Sequence, residues 1–380
     1  RRTFVFDQSH IYFDGTWGAA LAEIMTNEAL SWASYFSTRP KAVPAAQAPV
    51  PLSLRMPPVV EQVVASATRS TPEVTAENTQ ADLRELVQLR QDFKQRSDLL
   101  NLTVNDLLIL YRAIHAQTYR PSAELIEAVE KLQRSRKKNA RAIAQEILSS
   151  LRAQEEHTAI LIPVDGSKRL PRERVYPITF DVPLVELKLL NLHDSVLASL
   201  PDAPKRKRSK VKSETFEQLQ REYLGALAGF GVVMSRAKEI AIAGKSASVS
   251  TIKLLAHMAE PLQRFLNSFP DRFDLLNDII KGREVFSNVG AVAPSSSLLR
   301  FITAKDDNEK KMLAWGVLTD AEGIMVITLR DFRPYVARLL EIQQNKLAQQ
   351  IAQEYLDSYV IGFNQYIRDL SLIVRTSHQA

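Results

Sequence analysis

The chain has 380 residues, of which 45% are hydrophobic and 24% charged, with a formal net charge of +6 and no cysteine. That length accommodates two ordinary domains or one large two-lobed unit with a substantial core. The missing cysteine excludes disulfides, thiolate nucleophiles and cysteine-ligated zinc, and it fits a reducing, cytoplasmic setting.

The mean hydropathy is −0.15, and no window reaches the ~18 consecutive apolar residues of a spanning helix. The nearest run, Tyr223 to Met234, is interrupted by Gly225, Gly229 and Gly231, so burial is the favoured reading. Much of the basic excess lies in Lys205–Lys212 and Arg134–Lys138, with no aromatic residues interleaved for base stacking. These runs read as solvated linker or helix face, and nucleic-acid binding ranks last among the readings.

In chain order, Thr3–Ser9 mixes β-branched and aromatic residues and reads as a strand. After Asp14-Gly15, the apolar positions Leu21, Ile24, Met25, Ala29 and Trp32 recur at helical spacing. Six prolines between Arg39 and Pro58 then fix an extended connector. Helices are expected over 81–100 and 102–119, the second capped by Thr103, with Asn105 and Asp106 in its first turn. Pro121 closes it. Helices at 122–133 and 139–152 lead to a strand at Thr158–Asp165.

From Val185 to Lys281 the pattern is helical, apart from the Pro201–Lys212 linker. Four strand-like runs follow at 284–290, 297–305, 311–320 and 324–330. The last two are joined by Asp320-Ala321-Glu322-Gly323 as a hairpin, and a long helical tail starts at Pro334. Strands in two clusters with helices around them point to α+β, or a mixed sheet covered by helices. The chain divides into 1–180, a helical region 181–284 containing the basic linker 201–212, and C-terminal strands with a long helix over 285–380.

His10 carries the chemistry in this reading. At a strand end a side chain can project into a cleft while its backbone stays anchored, which suits a general base. Asp14 is placed to hold the loop, and Gly15 permits the sharp turn into the helix. A histidine that caps the helix is the plainer alternative. Ala243–Ser246 is not a phosphate loop, because Glu239 stands where its first glycine belongs. His115, His157, His193 and His257 have no partners at metal-ligand spacing.

Ser9–Gly15 resembles the HHxxxDG motif of the chloramphenicol acetyltransferase-like superfamily, which includes condensation domains and wax ester synthase/diacylglycerol acyltransferases. Ser9 replaces the first histidine. Thr103–Leu108 resembles that family's TVND segment, and Ser287–Gly290 its SNV strand end, in the same order along the chain.

The resemblance implies a two-lobed α/β fold with mixed sheets covered by helices, its N-terminal lobe truncated ahead of the motif. It also implies a tunnel bringing an acyl thioester and an acceptor to opposite sides of His10. The expected activity is acyl transfer from acyl-CoA, or from a phosphopantetheine-linked acyl carrier protein, to an alcohol or amine. No cofactor is tightly bound, no metal is involved and no covalent enzyme intermediate is needed.

In this scheme His10 and Asp14 are catalytic, and Gly15, Trp17, Ser287 and Asn288 contact substrate. Asn288 or Ser287 donates to the developing oxyanion or lines the tunnel, although an ordinary strand-end turn serves equally well for that pair. Arg169 is the candidate to support Asp14. A non-catalytic binding or scaffold domain of the same architecture is the alternative.

Overall fold

The computed structural model describes residues 15–40, 57–66, 72–135, 138–152, 159–165, 175–181, 188–200, 214–243, 284–296, 298–302 and 312–376. The helices are α1 (Gly15–Ser37), α2 (Pro58–Ser66), α3 (Leu83–Arg96), α4 (Val104–Thr118), α5 (Ala123–Gln133), α6 (Lys138–Arg152), α7 (Leu189–Ser199), α8 (Glu214–Ala243), α9 (Pro334–Glu341) and α10 (Asn345–Arg375). The strands are β1 (Val74–Ala81), β2 (Ala159–Asp165), β3 (Val175–Asp181), β4 (Glu284–Ala291), β5 (Leu313–Thr319) and β6 (Met325–Asp331). They form one six-stranded sheet in the order β1-β6-β5-β4-β2-β3.

The β2–β4 and β4–β5 pairs are parallel, and the other three pairs antiparallel. The expected mixed sheet covered by helices is therefore what forms, drawing strands from residues 74–81, 159–181 and 284–331. Among the described residues no helix is long and apolar enough to cross a membrane.

The helices of the middle region follow their capping chemistry. Asp82 accepts from the Glu85 amide and Ser122 from the Leu125 amide, each satisfying a donor that a helix start leaves without an intrahelical partner. The helix α4 carries a full capping box, with Thr103 Oγ1 accepting from the Asp106 amide at 3.1 Å and Asp106 Oδ2 from the Thr103 amide at 2.9 Å. The Tyr223–Met234 run lies inside α8, where Tyr223, Leu227, Phe230 and Met234 are buried.

Two strands lie outside the sequence expectations, and both are at edges of the sheet. The strand β1 reads as polar, Val-Thr-Ala-Glu-Asn-Thr-Gln-Ala, yet it buries Val74, Ala76, Asn78 and Ala81 against α10. Its outward hydrogen-bonding groups are met by side chains of α10. Gln349 donates to the Thr75 carbonyl at 2.8 Å, Gln353 to the Glu77 carbonyl at 2.9 Å and Asn364 to the Gln80 carbonyl at 2.7 Å. A bare edge that could recruit another chain is thereby capped by helix amides. The other strand, β3, contains Pro177, a residue that edge positions tolerate because no ladder donor is needed on the outer side.

Two expectations are corrected. Residues 298–302, expected within a strand, run irregularly. The Phe301 carbonyl accepts from Thr328 Oγ1 at 2.7 Å and lies against Gly316 of β5, so this segment crosses the hairpin instead of joining the sheet. The expected single helical tail from Pro334 is two helices. Gln343 adopts φ +62°, which no helix accommodates, and the Gln344 amide turns back to the Leu339 carbonyl at 2.8 Å.

The predicted β5–β6 hairpin is present. Asp320 Oδ1 accepts from the amides of Glu322 at 3.1 Å and Ile324 at 2.8 Å, and Gly323 turns at φ +80°.

Candidate functional site

His10 and Asp14 lie outside the described residues, as do Arg169 and the Thr3–Ser9 strand. Gly15 is the first residue of α1, and Trp17 follows within the same helix. What the structure does position are the two later segments singled out in the sequence, Thr103–Leu108 at the head of α4 and Ser287–Gly290 at the end of β4.

The strand β4 enters the sheet centre fully buried over Glu284–Ser287 and emerges partly exposed at Asn288. Ser287 stands opposite Gly316, and Asn288 opposite Val317. The ladder then slips between Asn288 and Ala291, where Gly290 adopts φ +78°. That left-handed turn suits glycine, and Asn288 reinforces it by accepting the Gly290 amide on Oδ1 at 2.8 Å. This is the strand-end turn anticipated for the pair. The Asn288 Nδ2 group has no partner among the described residues, so a two-proton donor remains at the strand end.

A buried ion pair couples this strand to α4. Arg112, two turns into that helix, donates through Nε to Glu284 Oε2 at 2.8 Å and through Nη2 to Glu284 Oε1, a two-pronged contact. Trp315 of β5 adds a third donor, Nε1 to Glu284 Oε2 at 3.0 Å, while its ring lies 5.1 Å from the Arg112 guanidinium carbon. Taking both charges out of water costs several kcal/mol each, and the attraction offsets this only where donors saturate the carboxylate, as here. The residues of this coupling were not singled out in the sequence. A lone Arg in an apolar helix, Arg112 in LLILYRAI, was the available signal.

One turn on, His115 is 2% exposed. Its ring sits 4.8 Å from Tyr355, 5.2 Å from Tyr119 and 5.6 Å from Tyr359. Burial, then the positive charges of Arg112 and Arg333, hold its pKa well below the usual histidine range, so the ring is neutral. Nε2 meets Ser358 Oγ at 3.2 Å, while Nδ1 has no hydrogen-bond partner among the described residues. Although Ser358 borders an open groove of about 650 Å³, a histidine this reluctant to be protonated is a poor base for activating that hydroxyl. His115 is a packing residue of the aromatic core.

A further polar chain links three helices, with His193 Nδ1 at 2.9 Å from Tyr223 Oη and Tyr223 Oη at 3.1 Å from Tyr366 Oη. Asp369 lies 3.6 Å from the far nitrogen of His193.

No protein-family model matches the chain, and no curated protein matches it. Among solved structures it is similar to the condensation domain from the Monacolin K polyketide synthase MokA, with 10% sequence identity and a TM-score of 0.34. That alignment covers 96% of this chain and 63% of the other, so the chain spans less than two thirds of that domain's length.

Proposed function

We propose that the protein transfers an acyl group from a thioester, on CoA or on a carrier-protein pantetheine, to an alcohol or amine. The observation that carries this reading is the Ser9–Gly15 segment with its HxxxDG spacing. His10 takes the proton of the acceptor hydroxyl or amine as its lone pair attacks the thioester carbonyl. The tetrahedral oxyanion then collapses, the carbon–sulfur bond breaks, and the departing thiolate recovers the proton from the imidazolium. Base catalysis of this kind contributes typically ~10²–10⁴-fold.

Asp14 holds the loop that carries His10. The amide donor of Asn288, without a partner among the described residues and on a strand that a buried ion pair anchors at Glu284, is a group of the kind that stabilises a developing oxyanion.

The test is His10→Ala, assayed by mass spectrometry with acyl-CoA donors of several lengths and a panel of small alcohols and amines. Wild type is expected to yield esters or amides, and the variant to lose them while unfolding at the same temperature. Full activity in the variant removes His10 from the mechanism.

A further inference from the structure

A groove of about 490 Å³ runs between the C-terminal end of α3 and one face of α8. Its lining is mixed, with Ser97 and the buried Gln220 beside an apolar stretch. Leu100 and Leu224 are buried beneath it, Ala228 continues the trough, and Leu99 stands at its border with 72% of its surface exposed. Gly225 opens the middle, because a Cβ placed there would meet nothing within 4 Å. Solvent-facing leucine beside a trough cut by glycine leaves apolar surface for a ligand to cover.

The rim is charged and unevenly so. Arg96 and Arg221 line the groove with Glu217 as the acid. Arg221 has no ion-pair or hydrogen-bond partner among the described residues. It lies four residues before Gly225, which puts it on the same face of α8 one turn along.

Arg96 is held in place by the interior. Its Nη2 donates at 3.0 Å to Gln220 Oε1, and the buried Gln220 is anchored in turn through Nε2 to the carbonyls of Ile373 and Thr376 at the end of α10. One guanidinium is thus oriented and a second has no partner among the described residues, beside a partly apolar groove within the size range of small-molecule sites.

We propose that this groove binds a linear carboxylate, its alkyl chain laid over Leu100, Leu224 and Gly225 and its carboxylate between Arg96 and Arg221. The planar guanidinium fork matches a carboxylate, and both apolar wall and cationic rim are needed to select the ligand. The site is independent of the acyl-transfer reading, since none of its residues belongs to that constellation.

Decanoate, titrated below its micellar concentration into the full chain and followed by calorimetry, tests the proposal, with decylamine and decanol as controls. Decanoate is expected to bind saturably, and decylamine and decanol at least roughly tenfold more weakly, as loss of a charge-assisted hydrogen bond implies. Gly225→Leu directs a side chain into the trough from a position where a Cβ meets nothing within 4 Å, and it removes a helix-destabilising glycine. It should abolish binding without lowering the unfolding temperature. Arg221→Gln should weaken decanoate at least roughly tenfold and leave decanol unchanged. Equal binding of decanoate and decylamine, undiminished binding to the folded Gly225→Leu variant, or no decanoate binding to wild type overturns the proposal.

Discussion

Arg112 of α4 and Glu284 of β4 form a two-pronged buried pair that locks the capped helix to the strand carrying Asn288. Removing one partner strands a charge in the core, whereas replacing both leaves apolar surface. Arg112→Met alone is expected to cost about 3–5 kcal/mol in urea unfolding, and Glu284→Leu alone a similar amount. The double variant should recover most of the loss. Additive losses in the double variant would refute the coupling.

His115 makes stability depend on pH in a definite direction. Its folded pKa is depressed, by burial first and then by Arg112 and Arg333, below the 6.5 of an unperturbed histidine. As pH falls below that value the unfolded chain gains a proton that the folded chain refuses, so stability drops, and above it this residue contributes no slope. The loss approaches about 1.4 kcal/mol per pH unit. His115→Gln should flatten the curve of unfolding free energy between about pH 6.5 and 5 relative to wild type, and an unchanged slope would contradict the burial of a neutral ring.

Gly362 of α10 gives its space to Tyr111 of α4, whose hydroxyl oxygen lies far inside contact distance of the position a Cβ would take and whose Cζ would lie 2.9 Å from it. Gly362→Ala is therefore expected to destabilise by about 1–3 kcal/mol, outweighing the better helix propensity of alanine. Combining it with Tyr111→Leu should return part of that loss in a double-mutant cycle.

Asn288 separates two roles at one side chain. Asn288→Asp retains an acceptor for the Gly290 amide, so thermal unfolding should stay near wild type. The substitution deletes the amide donor. If that donor meets the oxyanion, turnover falls by about 10²–10³-fold. If only the turn matters, turnover is unchanged.

How much was legible follows from how local each signal is. The helices over 83–152 declare themselves through apolar spacing and caps such as Thr103 and Ser122, which act within one turn. The β5–β6 hairpin is equally local, written in Asp320 and Gly323.

By contrast β1 carries Glu77, Asn78 and Gln80, residues that mark a strand only once α10 supplies their neighbours, 276 positions away for Glu77 and Gln353. The bond between Arg112 and Glu284 spans 172 positions, and nothing near either residue announces it. Within the candidate site, the TVND cap and the strand-end turn at Asn288 could be read in advance, but what braces them could not. The segment around His10 is carried by the sequence resemblance alone.

The place of β1 also bears on how the chain comes to be made. Its ladder runs from Val74 opposite Asp331 to Ala81 opposite Met325, so an early segment must wait for a late one. At ribosomal speeds of roughly 5–20 residues per second, the intervening stretch of about 250 residues takes some tens of seconds to emerge. Throughout that interval neither β6 nor the amides of α10 exist to cover β1, so its backbone groups are left to water until both have emerged.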